Sequence, residues 1–201
     1  MELNENKLLV LDLDETLLFT EYASEKDFDF IVCDNFMVKK RPFLDEFLNA
    51  VFEIGYKIAI WTASTEKYAK EIVANLFGKD YEQKLEFVYS RSQCNFKNNP
   101  KQSCFSCEKI ITIKNLKKIW RKKSLKAKWN KTNTFVLDDN NTTFSKNYGN
   151  SIPIPAWSNH FLYKDDDALK RLIPLLRIWK SCANVRLLDK QFWYSNKDEE
   201  F

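Results

Sequence analysis

The chain has 201 residues, of which 44% are hydrophobic and 30% are charged, and its formal net charge is +4. This length allows a substantial core and favours a single domain over residues 1–201. The chain has no internal repeat and no low-complexity tract, and acidic residues interrupt its long apolar window, so we expect no membrane contact. The first residues lack the basic start and apolar centre of a signal peptide, so we expect a cytoplasmic protein.

The most informative segment is an apolar run that ends in two carboxylates. Residues 8–18 read Leu-Leu-Val-Leu-Asp-Leu-Asp-Glu-Thr-Leu-Leu. Because residues i and i+2 of an extended chain face the same way, Asp12 and Asp14 converge at the end of a strand. Ionised groups are costly to bury unless they are paired or bound to a metal, and two convergent carboxylates suit Mg²⁺. A solvated acidic turn is the competing interpretation for an isolated Asp-x-Asp pair.

Hydrophobic periodicity and turn residues predict that strands and helices alternate along the chain. In chain order we expect a strand over 7–12, a hairpin over 27–39 with a turn at Asp34 and Asn35, a helix from Pro42 to Gly55, a strand over 57–61, a helix over 65–77, a strand over 86–89, an irregular stretch over 92–113, a basic helix within 114–131, a strand over 134–137, an edge strand over 151–155 and a helix over 166–180. This order predicts an α/β protein with a mainly parallel sheet covered on both faces.

Polar residues follow three of the predicted strands. Asp12 comes after the first strand, Thr62 after the strand over 57–61, and Asp138 with Asp139 after the strand over 134–137. Ligands of parallel sheets bind beyond the carboxyl ends of the strands. We therefore expect these residues to meet in one site.

The basic run over 114–131 contains nine Lys and Arg residues and no acid. Such a run, with Trp120 and Trp129 interleaved, could bind nucleic acid or an acidic phosphopeptide. The favoured interpretation is a solvated amphipathic helix that turns Leu116, Ile119 and Trp120 inward.

The five cysteines do not resemble a secreted disulfide framework, because their number is odd and their placing scattered. Cys104 and Cys107 form a Cys-x-x-Cys pair, with Cys94 ten residues before it. A zinc site would need a fourth ligand, and the only histidine, His160, is distant in sequence and is given no catalytic role. Free thiols are favoured over a structural zinc or a labile disulfide.

Four segments, taken in order, resemble the four motifs of the haloacid-dehalogenase (HAD) superfamily of phosphohydrolases. They are Asp12-Leu-Asp14-Glu-Thr16, Trp61-Thr62-Ala-Ser64, Lys114-Asn-Leu and Asp138-Asp139-Asn140. Three further segments, 40–42, 62–68 and 147–150, resemble the phosphatases related to those acting on the C-terminal domain of RNA polymerase II. Short bacterial relatives called NIF-type phosphatases look most similar, and the resemblance covers about residues 7–193.

The resemblance implies a Rossmann-like HAD fold with three layers, in which the predicted hairpin forms a small flap over about 20–40. The irregular polar stretch over about 92–113 is then interpreted as a short insertion before the third motif, and it is unusual for the family. The implied roles are Asp12 as nucleophile, Asp14 as general acid and base, Thr62 and Lys114 as phosphate ligands, Asp138 as the group orienting Lys114, Thr16 as a brace, and Arg41 and Tyr68 as residues of the substrate pocket. Mg²⁺ would be held by the carboxylates of Asp12 and Asp139 and the backbone carbonyl of Asp14. A packed helix tyrosine remains an equal alternative for Tyr68.

By resemblance we expect a Mg²⁺-dependent phosphomonoesterase with an aspartyl-phosphate intermediate, acting on phosphoserine or phosphothreonine of proteins. One alternative is a phosphatase for small molecules or nucleic-acid ends, although a nucleic-acid partner is not favoured. A second alternative is a non-catalytic phosphate-binding scaffold, against which the presence of both Asp12 and Asp14 argues. The fourth motif departs from the usual pattern because Asn140-Asn141-Thr142 stands where Ser/Thr-Pro is frequent.

Overall fold

A computed structural model describes residues 6–22, 28–33, 35–98, 110–158 and 165–194. In chain order its elements are β1 (Leu8–Leu11), β2 (Leu18–Tyr22), β3 (Phe30–Val32), β4 (Phe36–Lys40), α1 (Leu44–Ile54), β5 (Lys57–Trp61), α2 (Glu66–Phe77), α3 (Tyr81–Lys84), β6 (Leu85–Tyr89), β7 (Asn95–Asn98), β8 (Ile110–Ile113), α4 (Lys117–Arg121), β9 (Thr134–Asp138), β10 (Ser151–Pro153) and α5 (Ala168–Trp179).

The centre of the molecule is a sheet of five parallel strands in the order β10-β9-β1-β5-β6. All four residues of β1 are buried, as expected for a central strand of leucine and valine that is covered on both faces. The predicted α/β architecture with a parallel sheet is confirmed. Strand β10 lies at one edge of this sheet, in keeping with its proline content.

Each face of the sheet carries its own apolar cluster. On one face, α1, α2 and α5 pack against alternate strand residues such as Leu9 and Leu11. On the other face, α4 and the turns that follow it pack against Leu8 and Val10, using Leu116, Ile119 and other buried residues. The alternation along β1 therefore directs successive side chains into two different cores.

The helix boundaries follow local sequence signals. Helix α1 begins two residues after Pro42 and ends at Gly55, which adopts a left-handed conformation with φ of 87°. Helix α2 begins after Thr65, whose hydroxyl accepts a hydrogen bond from the backbone N–H of Tyr68. The predicted limits of both helices are confirmed to within two residues.

The predicted flap hairpin is confirmed, and the structure adds a third strand to it. Strands β3 and β4 pair antiparallel as expected, but β2 pairs with the other edge of β4 and completes a three-stranded sheet. A hairpin alone would leave a row of unpaired backbone groups on β4, and β2 covers that edge. Of the predicted turn pair, Asn35 is a turn residue, whereas Asp34 lies outside the described residues.

Two predictions need correction. The basic helix extends only over Lys117–Arg121 and is followed by turns up to residue 128. Like charges four residues apart disfavour a longer helix here, and the turns bury Leu125 and Trp129. The stretch over 92–113 is not irregular at its ends, because β7 and β8 form an antiparallel ladder.

Cys104, Cys107 and His160 lie outside the described residues, so the interpretations of the Cys-x-x-Cys pair stay predictions. Cys94 is described, and it is a buried free thiol. Among the described residues, none of the helices combines the length and the apolar character that crossing a lipid bilayer requires.

Candidate active site

The carboxyl ends of three neighbouring strands place the predicted site residues at one edge of the sheet. Asp12 directly follows β1, and its backbone N–H donates to the carbonyl of Leu137 on β9 at 3.0 Å. Asp138 ends β9 and Asp139 follows it. Thr62 directly follows β5 and donates its backbone N–H to Tyr89 on β6. The parallel ladder therefore sets the spacing of these side chains.

A buried lysine lies between two of the aspartates. Lys114, whose exposure is 0%, places Nζ 2.7 Å from Oδ1 of Asp12 and donates to Oδ2 of Asp138 at 2.8 Å. Burial lowers the pKa of Lys114, but the two carboxylates outweigh this effect and raise it above its ordinary value. The two carboxylates therefore favour the charged form of Lys114.

The aspartates form a cluster with more negative charge than one lysine neutralises. Carboxylate oxygens of Asp12, Asp138 and Asp139 lie within 4.8 Å of one another. Burial, opposed by Lys114 and reinforced by Asp138, raises the pKa of Asp12 well above its ordinary value. Burial and the neighbouring Asp138 raise the pKa of Asp139 to about 6. Both carboxyls would be stabilised in their ionised form by a cation.

The donor set of this cluster suits a hard divalent cation. Oδ1 of Asp12 is buried and accepts no hydrogen bond of good geometry from the described residues, despite its short ionic contact with Lys114. Asp138 already uses Oδ2 for Lys114 and Oδ1 for the backbone N–H of Asn140. Asp12 and Asp139 are therefore the carboxylates available to a cation, and oxygen ligands are those that Mg²⁺ prefers.

The carboxylate of Asp14 is held by three hydroxyl groups. Tyr68 donates to Oδ1 at 2.5 Å, while Ser64 and Thr62 donate to Oδ2 at 2.9 and 3.2 Å. Tyr68 was expected in the substrate pocket or in helix packing, and the structure directs its hydroxyl at Asp14. Ser64 was not among the predicted site residues, although it lies in the second motif and two residues after Thr62, a spacing that could have identified it.

A threonine joins the first and fourth motifs. Thr16 is fully buried, and its hydroxyl donates to Oδ1 of Asp139 at 2.9 Å and accepts from the backbone N–H of Asp139 at 3.0 Å. The chain turns sharply between Asp14 and Thr16, because Glu15 adopts a left-handed conformation with φ of 61°. Thr16 thus links the loop that carries Asp14 to the acidic cluster.

Arg41 is buried apart from the acidic cluster, against the loop that contains Thr16. Its exposure is 1%, and its guanidinium donates to both carboxylate oxygens of Asp166, at 2.9 and 2.7 Å, and to the carbonyl of Thr16 at 3.0 Å. These contacts occupy the guanidinium group of Arg41, which a substrate-pocket residue would need for binding the substrate. Asp166 was missed because no local pattern pairs residues that are 125 positions apart.

The chain matches a known family of phosphatases. Residues 7–186 match the NLI interacting factor-like phosphatase family. The chain is 33% identical over 190 residues to a probable C-terminal domain small phosphatase of Dictyostelium discoideum, covering 90% of this chain and 53% of the relative. It is 29% identical over 185 residues to a CTD small phosphatase-like protein 2 of the same organism, covering 89% of this chain and 28% of that relative.

Solved structures support the same fold. The fission yeast RNA polymerase II CTD phosphatase Fcp1, solved bound to beryllium fluoride, aligns with a TM-score of 0.53 at 17% identity, covering 89% of this chain and 51% of that one. This likeness shows the HAD fold alone. The chain spans about half or less of the length of these relatives. On the family match over residues 7–186, this chain belongs to the NLI interacting factor-like phosphatases.

Proposed function

We propose that this protein is a Mg²⁺-dependent phosphomonoesterase that acts through an aspartyl-phosphate on Asp12, with phosphoserine or phosphothreonine of proteins as substrate. The observation that carries the proposal is the pairing of buried Asp12 with Lys114 beside Asp139. The family membership and the names of the relatives, which describe phosphatases of a C-terminal domain, support a protein substrate.

In the first half of the reaction, a carboxylate oxygen of Asp12 attacks phosphorus and the bond to the leaving oxygen breaks. Asp14 donates a proton to that oxygen, which departs as an alcohol. In the second half, water attacks the acyl phosphate while Asp14 takes up its proton. Asp12 is regenerated and inorganic phosphate is released. The proton that Asp14 takes from water returns it to the protonated form in which it begins the next cycle. Asp14 suits this role because it forms no ion pair with the described residues and is held in place by the hydroxyl groups of Thr62, Ser64 and Tyr68.

The substrate brings negative charge to a site that already contains several carboxylates. Two like charges 4 Å apart cost about 4 kcal/mol at an effective dielectric of 20. Lys114 and Thr62 would neutralise or bind the phosphoryl oxygens, and Asp138 would hold Lys114 in position. Mg²⁺, held by Asp12, Asp139 and the backbone carbonyl of Asp14, would supply further neutralisation of this charge.

The test is phosphate release by the wild type and by Asp12→Asn, measured with Mg²⁺ on phosphoserine peptides and on para-nitrophenyl phosphate. We expect Asp12→Asn to lose activity by at least about a thousandfold, because the nucleophile is removed. The wild type, quenched during turnover, should carry the mass of one phosphoryl group, which the variant lacks. Equal activity of the two proteins would disprove the mechanism. Release from small substrates but never from phosphopeptides would favour the small-molecule alternative.

A further inference from the structure

A strongly cationic surface lies beside the candidate site and has no part in the mechanism above. We call it the basic strip; its members are the exposed side chains of Lys117, Lys118, Arg121, Lys122, Lys123, Lys126, Lys128 and Lys131. The segment that carries them contains no Asp or Glu. Within the described part of the chain, Lys128 with Glu86, at 3.3 Å, is the ion pair found for the strip. The strip therefore keeps most of its positive charge.

Three contacts fix the course of the basic strip along strand β6. Lys118 donates to the carbonyl of Gln93 at 2.8 Å, Nζ of Lys122 lies 5.2 Å from the ring centre of Tyr89, and Lys128 pairs with Glu86. Glu86 is the second residue of β6 and Tyr89 is the last, so they lie roughly 10 Å apart at the rise of a strand. The strip thus runs from the carboxyl edge of the sheet toward its amino edge.

The beginning of the basic strip is close to the site. Tyr89 accepts the backbone N–H of Thr62. The thiol of Cys94, next to Gln93, lies 3.8 Å from the carbonyl of Thr62. Lys114 precedes the strip by three residues. The basic strip therefore begins next to the residues that are proposed to bind the phosphate.

Of the two tryptophans of this segment, Trp129 is buried and Trp120 is half-buried. Trp129 is 2% exposed and its indole N–H donates to Glu86 at 3.2 Å. The indole N–H of Trp120 donates to the hydroxyl of Thr134, also at 3.2 Å. Single-stranded nucleic acids are held largely by stacking of bases on exposed aromatic rings. The basic strip offers charge without such rings, which favours an acidic peptide over a nucleic acid.

We infer that the basic strip binds an anionic stretch of the phosphoprotein substrate, namely acidic or further phosphorylated residues that flank the phosphate to be removed. This inference rests on the proposed phosphatase function. Exposed charges act over several ångströms, and together they increase the rate of association with an oppositely charged chain. The strip would therefore select substrates by the charge of the residues around the phosphorylated position.

The test compares two double variants with the same change in charge. Arg121→Glu with Lys126→Glu alters the basic strip. Both residues are exposed, and among the described residues neither side chain has a hydrogen bond, ion pair or cation–π contact. Arg177→Glu with Lys79→Glu is the control, since both residues are exposed and lie on α5 and just after α2, on the opposite face of the sheet. The substrates are a phosphoserine peptide flanked by glutamates and its twin flanked by glutamines.

We expect the ratio of kcat/KM for the acidic peptide to that for its neutral twin to fall about tenfold in the strip variant and to stay at the wild-type value in the control. The loss should shrink as salt is added, because salt screens exposed charges. Equal kcat/KM of the wild type for both peptides, or an equal loss in both variants, would overturn the inference.

A binding experiment separates this inference from the proposed function. Fluorescence anisotropy of the labelled acidic phosphopeptide is measured with Asp12→Asn, alone and combined with each double variant, so that no turnover is needed. If the wild type proves inactive on every substrate, the proposed function fails, yet weaker binding by the strip variant alone still supports the strip. Equal binding of the peptide by both variants would refute the inference about the basic strip. It would also be refuted if an oligonucleotide of equal charge displaced the labelled peptide more readily than the unlabelled peptide does.

Discussion

At the scale of single residues, the position of Asp14 depends on side chains that follow another strand. Its carboxylate accepts hydrogen bonds from Thr62, Ser64 and Tyr68, which belong to the end of β5 and to α2. Burial and the adjacent Asp14 raise the pKa of Tyr68 above its ordinary value, so its hydroxyl remains a donor at neutral pH. The carboxylate of Asp14, the proposed proton-transfer group, is therefore oriented by a neighbouring element rather than by its own loop.

We predict that Tyr68→Phe lowers kcat on para-nitrophenyl phosphate by about tenfold with little change in KM. A hydrogen bond to a charged group contributes about 1.5–3 kcal/mol, and about 1.4 kcal/mol corresponds to a tenfold rate. Steady-state kinetics with Mg²⁺ provide the measurement. The pH profile of kcat should also shift, because it reports the acid and base of the bound complex.

The control for this prediction is Tyr56→Phe. Tyr56 is also buried, but its hydroxyl donates to the carbonyl of Leu176, away from the site. This variant should lose stability and keep its kcat. If Tyr68→Phe instead keeps kcat and raises KM for phosphopeptides, Tyr68 is a substrate-pocket residue, as the family resemblance implied.

At the scale of elements, Arg41 connects three parts of the chain. It follows β4, its backbone N–H donates to the carbonyl of Leu17, and its guanidinium contacts Thr16 and Asp166. Asp166 in turn accepts the backbone N–H of Ala168 at the start of α5. The flap, the loop of the first motif and the last helix are therefore held together by one buried ion pair.

We predict that Asp166→Ala destabilises the protein by about 3–5 kcal/mol, because it leaves the buried charge of Arg41 without a partner. Urea denaturation measures the loss. Glu66→Ala serves as the control, since it breaks an exposed ion pair with Lys70 and should have little effect. Replacing Arg41 and Asp166 together by apolar residues should recover part of the lost stability. If the double variant instead loses as much free energy of unfolding as the two single variants added together, the ion pair is not the cause of the loss.

At the scale of the whole molecule, charge is segregated around the active edge of the sheet. The acidic cluster of Asp12, Asp138 and Asp139 lies at the strand ends, and the basic strip begins beside it. The cluster costs stability in the absence of a cation, because both Asp12 and Asp139 have a raised pKa. In the proposed function, a cation bound at the cluster would relieve this cost by stabilising the ionised carboxylates.

The raised pKa of Asp139 makes the free energy of unfolding depend on pH. Asp139 titrates at about 6 in the folded protein, above its ordinary value, so the folded state binds this proton more tightly than the unfolded chain. Its ionised form therefore destabilises the fold above that pH, and the penalty is relieved as the pH falls through it. Asp139→Asn carries no such charge.

We predict that, with EDTA, Asp139→Asn is more stable than the wild type at pH 7.5 and that the difference shrinks at pH 5. Urea denaturation of both proteins at the two pH values provides the measurement. Added Mg²⁺ at pH 7.5 should stabilise the wild type and have less effect on the variant, because a carboxylate ligand is missing. A stability difference that is the same at both pH values would show that Asp139 does not have a raised pKa.

The sequence by itself determined the α/β class, the parallel sheet and most element limits. These features depend on short-range patterns: the apolar runs of buried strands, the helical spacing, and boundary residues such as Pro42, Thr65 and Gly55. It also indicated which residues come together, because polar residues that follow parallel strands share one edge. Asp12, Thr62, Asp138 and Asp139 could be placed in this way.

Only the tertiary structure decided which side chains contact each other and where a local pattern is overridden. The pair of Arg41 and Asp166 and the hydroxyls on Asp14 join residues that are distant in sequence, and no local propensity encodes such contacts. In the basic segment a local pattern is overridden. Its sequence predicts a longer helix, but the helix ends at Arg121 and is followed by turns, and Leu125 and Trp129 are buried there. Packing against the sheet outweighs helix propensity there, and the turned path carries the lysines along β6, from a start beside the site.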